Sequence, residues 1–190
     1  GRCGAQPDLL VCTGDLLDYP LDRFADPDML ALAAQDLALI AGLLGTLPCP
    51  VLVLPGNHDP LEATLTTFPV PPETAVGDCR VLAFVDREGP GRVPQREGAE
   101  RERYCAALSS ADPGPQVHLQ HYVIAPLPAE TDYPYCYADA DALRDGIASD
   151  GRVRAVLSGH YHPGQAPTRF GGTWFATAPA FCLVSGSSWP

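Results

Sequence analysis

The mostly apolar stretches of the chain are of two kinds. Short runs at residues 8–13, 51–55, 80–85, 117–121 and 153–158 each stop at a glycine or a polar cluster. Their length and their weak polar alternation predict strands covered on both faces. The block at about 28–44 instead spaces its apolar residues at helical intervals, contains no internal Pro, and has Asp26 or Asp28 available as a cap. Helices are also expected near 97–108 and over 139–149, and further strands at 173–178 and 181–184. Residues 45–50 read as a turn, and the charged segment 86–103 reads as a surface loop leading into the second helix. Strands alternating with helices predict an α/β domain. With no internal repeat and no linker, residues 1–190 form one domain in this reading.

Composition narrows the chemistry. Hydrophobic residues make up 46% of the 190, enough for a core. There are 12 basic and 23 acidic residues, a net charge of −11, which argues against nucleic acid as a partner because phosphate neutralisation needs clustered cations. All 12 basic residues are Arg. The absence of Lys excludes Schiff-base chemistry and a phosphate-loop Lys. The seven Cys (3, 12, 49, 79, 105, 136 and 182) are dispersed with no C-x-x-C pair. They read as small buried hydrophobes in a reducing compartment, hence a cytoplasmic protein. No apolar run reaches the roughly 18 residues of a membrane span and no signal peptide is visible, so no membrane partner is expected. The all-Arg, Ala- and Pro-rich usage suggests a GC-rich bacterial source.

The residues that can bind metal collect at the predicted strand ends. The first strand ends in Thr13-Gly14-Asp15-Leu16-Leu17-Asp18 and the second in Pro55-Gly56-Asn57-His58-Asp59. The fourth ends in Gln120-His121 and the fifth in Ser158-Gly159-His160-Tyr161-His162. Four of the five His and the only Asn fall there, where open α/β sheets bind ligands. Taken singly, a Gly-Asp or an Asn-His is an ordinary turn. Jointly, a carboxylate that can bridge two ions, an amide oxygen and several imidazoles suit two divalent cations, which can neutralise a phosphoryl group under in-line attack. A further His that is not a ligand can protonate the leaving oxygen. The fifth His, His118, lies an odd number of positions before His121 and so faces the other side of its strand, as a structural residue.

The segments G-D-L-L-D (14–18), G-N-H-D (56–59), His121 and G-H-Y-H (159–162) resemble, in order and spacing, the calcineurin-like metallophosphoesterases from about residue 8 to 163. The resemblance implies a four-layer α/β/β/α sandwich and a dinuclear centre with a bridging hydroxide. Asp15 would bridge the ions, Asn57, His121 and His160 would complete one site, and His162 would serve the other. His58 would be the catalytic acid, with Asp59 orienting it and Asp18 supporting from behind the ligands. The implied cofactors are two ions of Mn, Fe or Zn. The implied function is a phosphomonoesterase or phosphodiesterase acting on a small phosphorylated substrate. The family's opening Asp-x-His is absent before Gly14, and the chain starts with Gly, so an N-terminal truncation that removes the first strand and helix is expected. The alternatives are a non-catalytic interaction module on the same fold, or an inactive fragment. The Tyr- and Pro-rich stretch 122–137 would wall the substrate pocket, and Arg87, Arg92 and Arg96 are candidates for a phosphate contact.

Overall fold

The computed structural model describes residues 6–127 and 135–180. The chain begins with β1 (Leu10–Cys12), then α1 (Pro27–Leu44), β2 (Val51–Val53) and α2 (Leu61–Thr67). It continues with β3 (Glu73–Val76), β4 (Cys79–Ala83), β5 (Arg87–Glu88), β6 (Pro94–Gln95), α3 (Gly98–Ser109) and β7 (Gln116–Leu119). Last come α4 (Ala140–Asp150), β8 (Val153–Ser158), β9 (Gln165–Phe170) and β10 (Thr173–Thr177). The start of α1 follows from its sequence. Asp26 caps it by accepting the N–H groups of Asp28 (2.9 Å) and Met29 (3.4 Å), and Pro27 sits in the first turn, where no N–H is needed.

β1 and β2 pair in parallel as a two-stranded sheet. The larger sheet runs β3-β4-β7-β8-β10-β9. Its four central strands are parallel, and β3 and β9 are antiparallel edges. Alternation along β4 shows how the layers stack. Val81 and Ala83 turn toward Leu52 and Leu54 of the small sheet, with Leu119 of β7 beside them. Leu82 and Phe84 turn the other way, onto Tyr104 and Ala107 of α3 and Leu143 and Ile147 of α4. Beyond the small sheet, Ala33 and Leu37 of α1 close on Leu17, with Ala63 and Phe68 alongside. The order is therefore α1/α2, small sheet, large sheet, α3/α4: the four-layer sandwich.

Several expectations need correction. α2, β3 and β9 were not foreseen, and residues 86–103 hold the short β5–β6 hairpin rather than only a loop. The expected strand at 181–184 lies outside the described residues. The expectation that no segment is long and apolar enough to span a membrane also fails for α1, which is 18 residues with a mean hydropathy of 1.4. Of that helix, Met29, Ala33 and Leu37 are buried, while Leu32, Leu39 and Leu43 are exposed.

Candidate metal centre

The segments that follow four strands, β1, β2, β7 and β8, deliver the candidate ligands to one point. Asp15 follows β1 in a left-handed conformation (φ 56°), and His160 follows β8 in another (φ 64°). Non-glycine residues seldom adopt this region, and where the surrounding fold holds them there the backbone is aimed by its context. The loops pass very close. A Cβ on Gly56 would run into the Asp15 side chain and backbone N, and one on Gly14 (φ 103°) would meet His121 Nδ1 and Gly56 N. Only glycine fits at either position.

Hydrogen bonds then fix which atoms face inward. His121 Nδ1 lies 2.6 Å from the Thr13 carbonyl, an acceptor only, so Nδ1 carries the proton and Nε2 presents its lone pair. That Nε2 faces Asn57 Oδ1 at 3.1 Å, His160 Nδ1 at 3.1 Å and Asp15 Oδ2 at 3.5 Å. Asp15 Oδ1 accepts the His58 backbone N–H at 2.9 Å, which leaves Oδ2 buried with no hydrogen-bond donor. Ligand atoms of Asp15, His121 and His160 lie within 4.8 Å of one another. A lone pair, an amide oxygen and an orphaned carboxylate oxygen pointed at one another repel unless a cation lies between them, so the residues present fit a metal ion. Burial pushes the His160 imidazole down to about 3, with the nearby His residues adding to it. Burial also lowers His121, against the pull of Asp15. Both rings are thus neutral near pH 7, the form that binds metal. His162 is half-exposed, with Nε2 3.9 Å from the same Asp15 Oδ2.

The chain matches the family profile of the calcineurin-like phosphoesterases over residues 2–164. It belongs to that family. Two solved structures with similar folds are a dimetal phosphatase from Danio rerio and the phosphopantetheinyl hydrolase PptH from Mycobacterium tuberculosis. The first is 13% identical, with a TM-score of 0.58 over 90% of this chain and 72% of the other. The second is 15% identical, with a TM-score of 0.55 over 93% of this chain and 82% of the other. No curated protein sequence matches. Family membership makes the chain a metal-dependent hydrolase of phosphate esters in general terms.

At the candidate site of this phosphoesterase, Asp15, Asn57, His58, His160 and His162 share a cleft of about 190 Å³ with Tyr135 and Arg92, and His121 is buried. The role expected of Asp59 is corrected. Asp59 is buried, and its oxygens accept the N–H groups of Leu17 (2.9 Å) and Gly56 (2.8 Å), so it ties the two ligand loops together. The carboxylate beside the His58 ring is Asp18, with Oδ1 3.3 Å from Nδ1. The resemblance implied Asp59, but the turn at Gly56–Asp59 sends that side chain inward, onto the Leu17 and Gly56 N–H groups.

The flanking aromatic residues divide. Tyr135 lines the cleft and packs edge-on to His160 and Tyr161, as a pocket wall would. Tyr122 is buried against His121, and Tyr137 is buried with its hydroxyl donating to Asp86. Tyr133 lies outside the described residues. His118 is wholly buried, edge-on to Phe84 and Tyr104 on the far face of β7. A larger cavity of about 570 Å³, lined by Leu61, Leu65, Arg87, Glu88 and Glu97 among others, contains none of the candidate metal ligands.

Proposed function

We propose that this chain hydrolyses a small phosphorylated substrate at a dinuclear centre. Asp15, Asn57, His121 and His160 would hold one ion, and Asp15 with His162 would contribute to the second. The mixed nitrogen and oxygen donors suit Mn, Fe or Zn. Ions bound there would supply Lewis-acid polarisation of the phosphoryl group and a water nucleophile near neutral pH, the role the family assigns to a bridging hydroxide. The observation that carries this reading is the convergence of Asp15 Oδ2, buried with no hydrogen-bond partner among the described residues, with His121 Nε2, Asn57 Oδ1 and His160 Nδ1.

The protein's own contribution is alignment and proton supply. The Thr13 carbonyl fixes the His121 tautomer, and the His58 N–H locks Asp15 so that one oxygen stays free. His58 lines the cleft with Asp18 beside its Nδ1, an arrangement that orients the ring to hand a proton to the departing oxygen. A second reading, metal binding without turnover, is favoured by the smaller donor set of the second ion, to which Asp15 and the half-exposed His162 would contribute.

The test is elemental analysis of the protein purified in Mn buffer, followed by turnover of p-nitrophenyl phosphate and of bis(p-nitrophenyl) phosphate, which separates monoesterase from diesterase. Close to two ions per chain with turnover supports the proposal. His58→Ala is expected to keep the metal and lower kcat by about 10²- to 10⁴-fold. One ion and no turnover establishes the second reading, and no ion in a folded chain overturns both.

A further inference from the structure

Of the three arginines that sequence alone left as candidates for the substrate's phosphate, one stands at the metal cleft. Arg96 is fully buried, paired with Asp86 at 2.7 Å and stacked over the Phe84 ring at 4.1 Å. It is spent on the core. Arg87 lines the other cavity, among Glu88, Glu97 and Glu100. Arg92 lines the cleft itself, with Asp15, Asn57, His58, His160 and His162.

Its surroundings leave the charge available. Arg23, Arg80, Arg96, Arg101, Arg103, Arg144 and Arg152 are all engaged in ion pairs. Arg92 makes none among the described residues. Glu88 senses its charge, although burial is the stronger influence on that carboxyl and pushes it up. The backbone supplies an independent sign. Among the described residues, three that are not glycine have positive φ: Asp15, His160 and Arg92 (φ 60°). All three line this one cleft. The turn that carries Arg92 is closed by the Gly89 N–H donating to the Val93 carbonyl (2.8 Å) and the Arg92 N–H donating to Gly89 (3.1 Å). A glycine would adopt the Arg92 conformation without strain, as Gly91 does at φ 70°. An arginine held there, with no ion pair among the described residues and lining the cleft of the candidate metal ligands, is suited to a ligand rather than to the fold.

We propose that Arg92 anchors the non-bridging oxygens of the substrate's phosphate opposite the metal ligands. The guanidinium fork can take two of those oxygens at once, which a lysine cannot. The inference rests on the phosphohydrolase reading above, and it adds the side chain that would hold the phosphoryl group while His58 protonates the leaving oxygen.

Inorganic phosphate is the probe, titrated calorimetrically into the Mn-loaded protein, with metal content measured for every variant. Arg92→Ala should keep the metal and raise the phosphate Kd by about tenfold to a hundredfold, as expected for a lost charge-assisted bond. Arg92→Lys should recover part of the loss, and Arg154→Ala, on exposed β8 surface, should bind as the wild type does. Arg92→Gly separates ligand binding from structure, because it should melt at an equal or higher temperature while binding phosphate as poorly as the Ala variant. An unchanged Kd in Arg92→Ala, with wild-type protein that binds phosphate and turns over substrate, overturns the anchor and leaves the phosphohydrolase standing. Wild-type protein that holds metal but binds no phosphate overturns both.

Discussion

On one side of the metal centre, Asp15, Asn57 and His58 extend from two three-residue strands. On the other, His121, His160 and His162 follow strands of a six-stranded sheet whose outer face is sealed by α3 and α4. Leu143 and Ile147 of α4 are fully buried, whereas Leu39 and Leu43 of α1 are 64% and 62% exposed. Yet both sides place ligand atoms to hydrogen-bond tolerance. The thin side gains its precision from local clamps: the Asp59 carboxylate across Leu17 and Gly56, the His58 N–H on Asp15, and two glycines that allow backbone contact. The lesson is that a site can be fixed either by a deep core or by a few bonds between loops, and here each half uses a different one.

The sharpest way to break that comparison is to hollow each side. Leu143→Ala should cost about 2–5 kcal/mol in denaturant unfolding, the range for a fully buried leucine. Leu39→Ser on the exposed face of α1 should change stability by less than about 0.5 kcal/mol. A large loss at Leu39 would mean that α1 is covered by something in solution.

Metal should favour the thin side. Mn at a hundred times its Kd stabilises the folded state by about 2.7 kcal/mol through mass action alone. Hydrogen exchange should slow most at residues 13–18 and 55–60, which carry Asp15, Asn57 and His58. Protection that rises only in α3 and α4 would contradict the picture of two unequal halves.

The smallest effect is a pH dependence from the deep side. Burial, with a smaller contribution from Arg96, lowers His118 to about 3 from an ordinary 6.5. Between those values the unfolded chain binds a proton that the folded chain does not. Stability is therefore full above about 6.5 and falls as the pH drops toward 3, by at most about 1.4 kcal/mol per pH unit for this residue. His121 and His160 shift the same way, so the comparison is made between metal-free wild type and His118→Asn. The variant should lose stability less steeply, and equal slopes would remove His118 from the account.

The sequence told most where one local signal sufficed. Continuous apolar runs located β1, β2, β4 and β8, and the Asp26-Pro27 start located α1. Elements whose stability comes from neighbours stayed hidden. β9 (QAPTRF) is polar and contains Pro167, which an edge strand tolerates, and it exists because β10 pairs with it. α2 is only seven residues with three Thr, and it is held by packing on α1. The candidate ligands were legible as a group because residue types able to hold a metal recur at the ends of the apolar runs, and the structure brings Asp15, Asn57, His121 and His160 together. Which carboxylate lies beside His58, and which of three arginines reaches the cleft, was not legible, because both depend on the direction in which a turn sends a side chain.

The chain's order of elements divides the candidate site residues into two groups. Asp15, Asn57 and His58 all precede residues 68–72, which join α2 to β3, and His121, His160 and His162 all follow them. Severed there, the molecule would become two polypeptides, each carrying part of the candidate donor set, and a cation held as proposed would be the natural mortar for rejoining them. The same connection that lets one chain fold thus marks where the protein could be turned into a metal-dependent complementation pair.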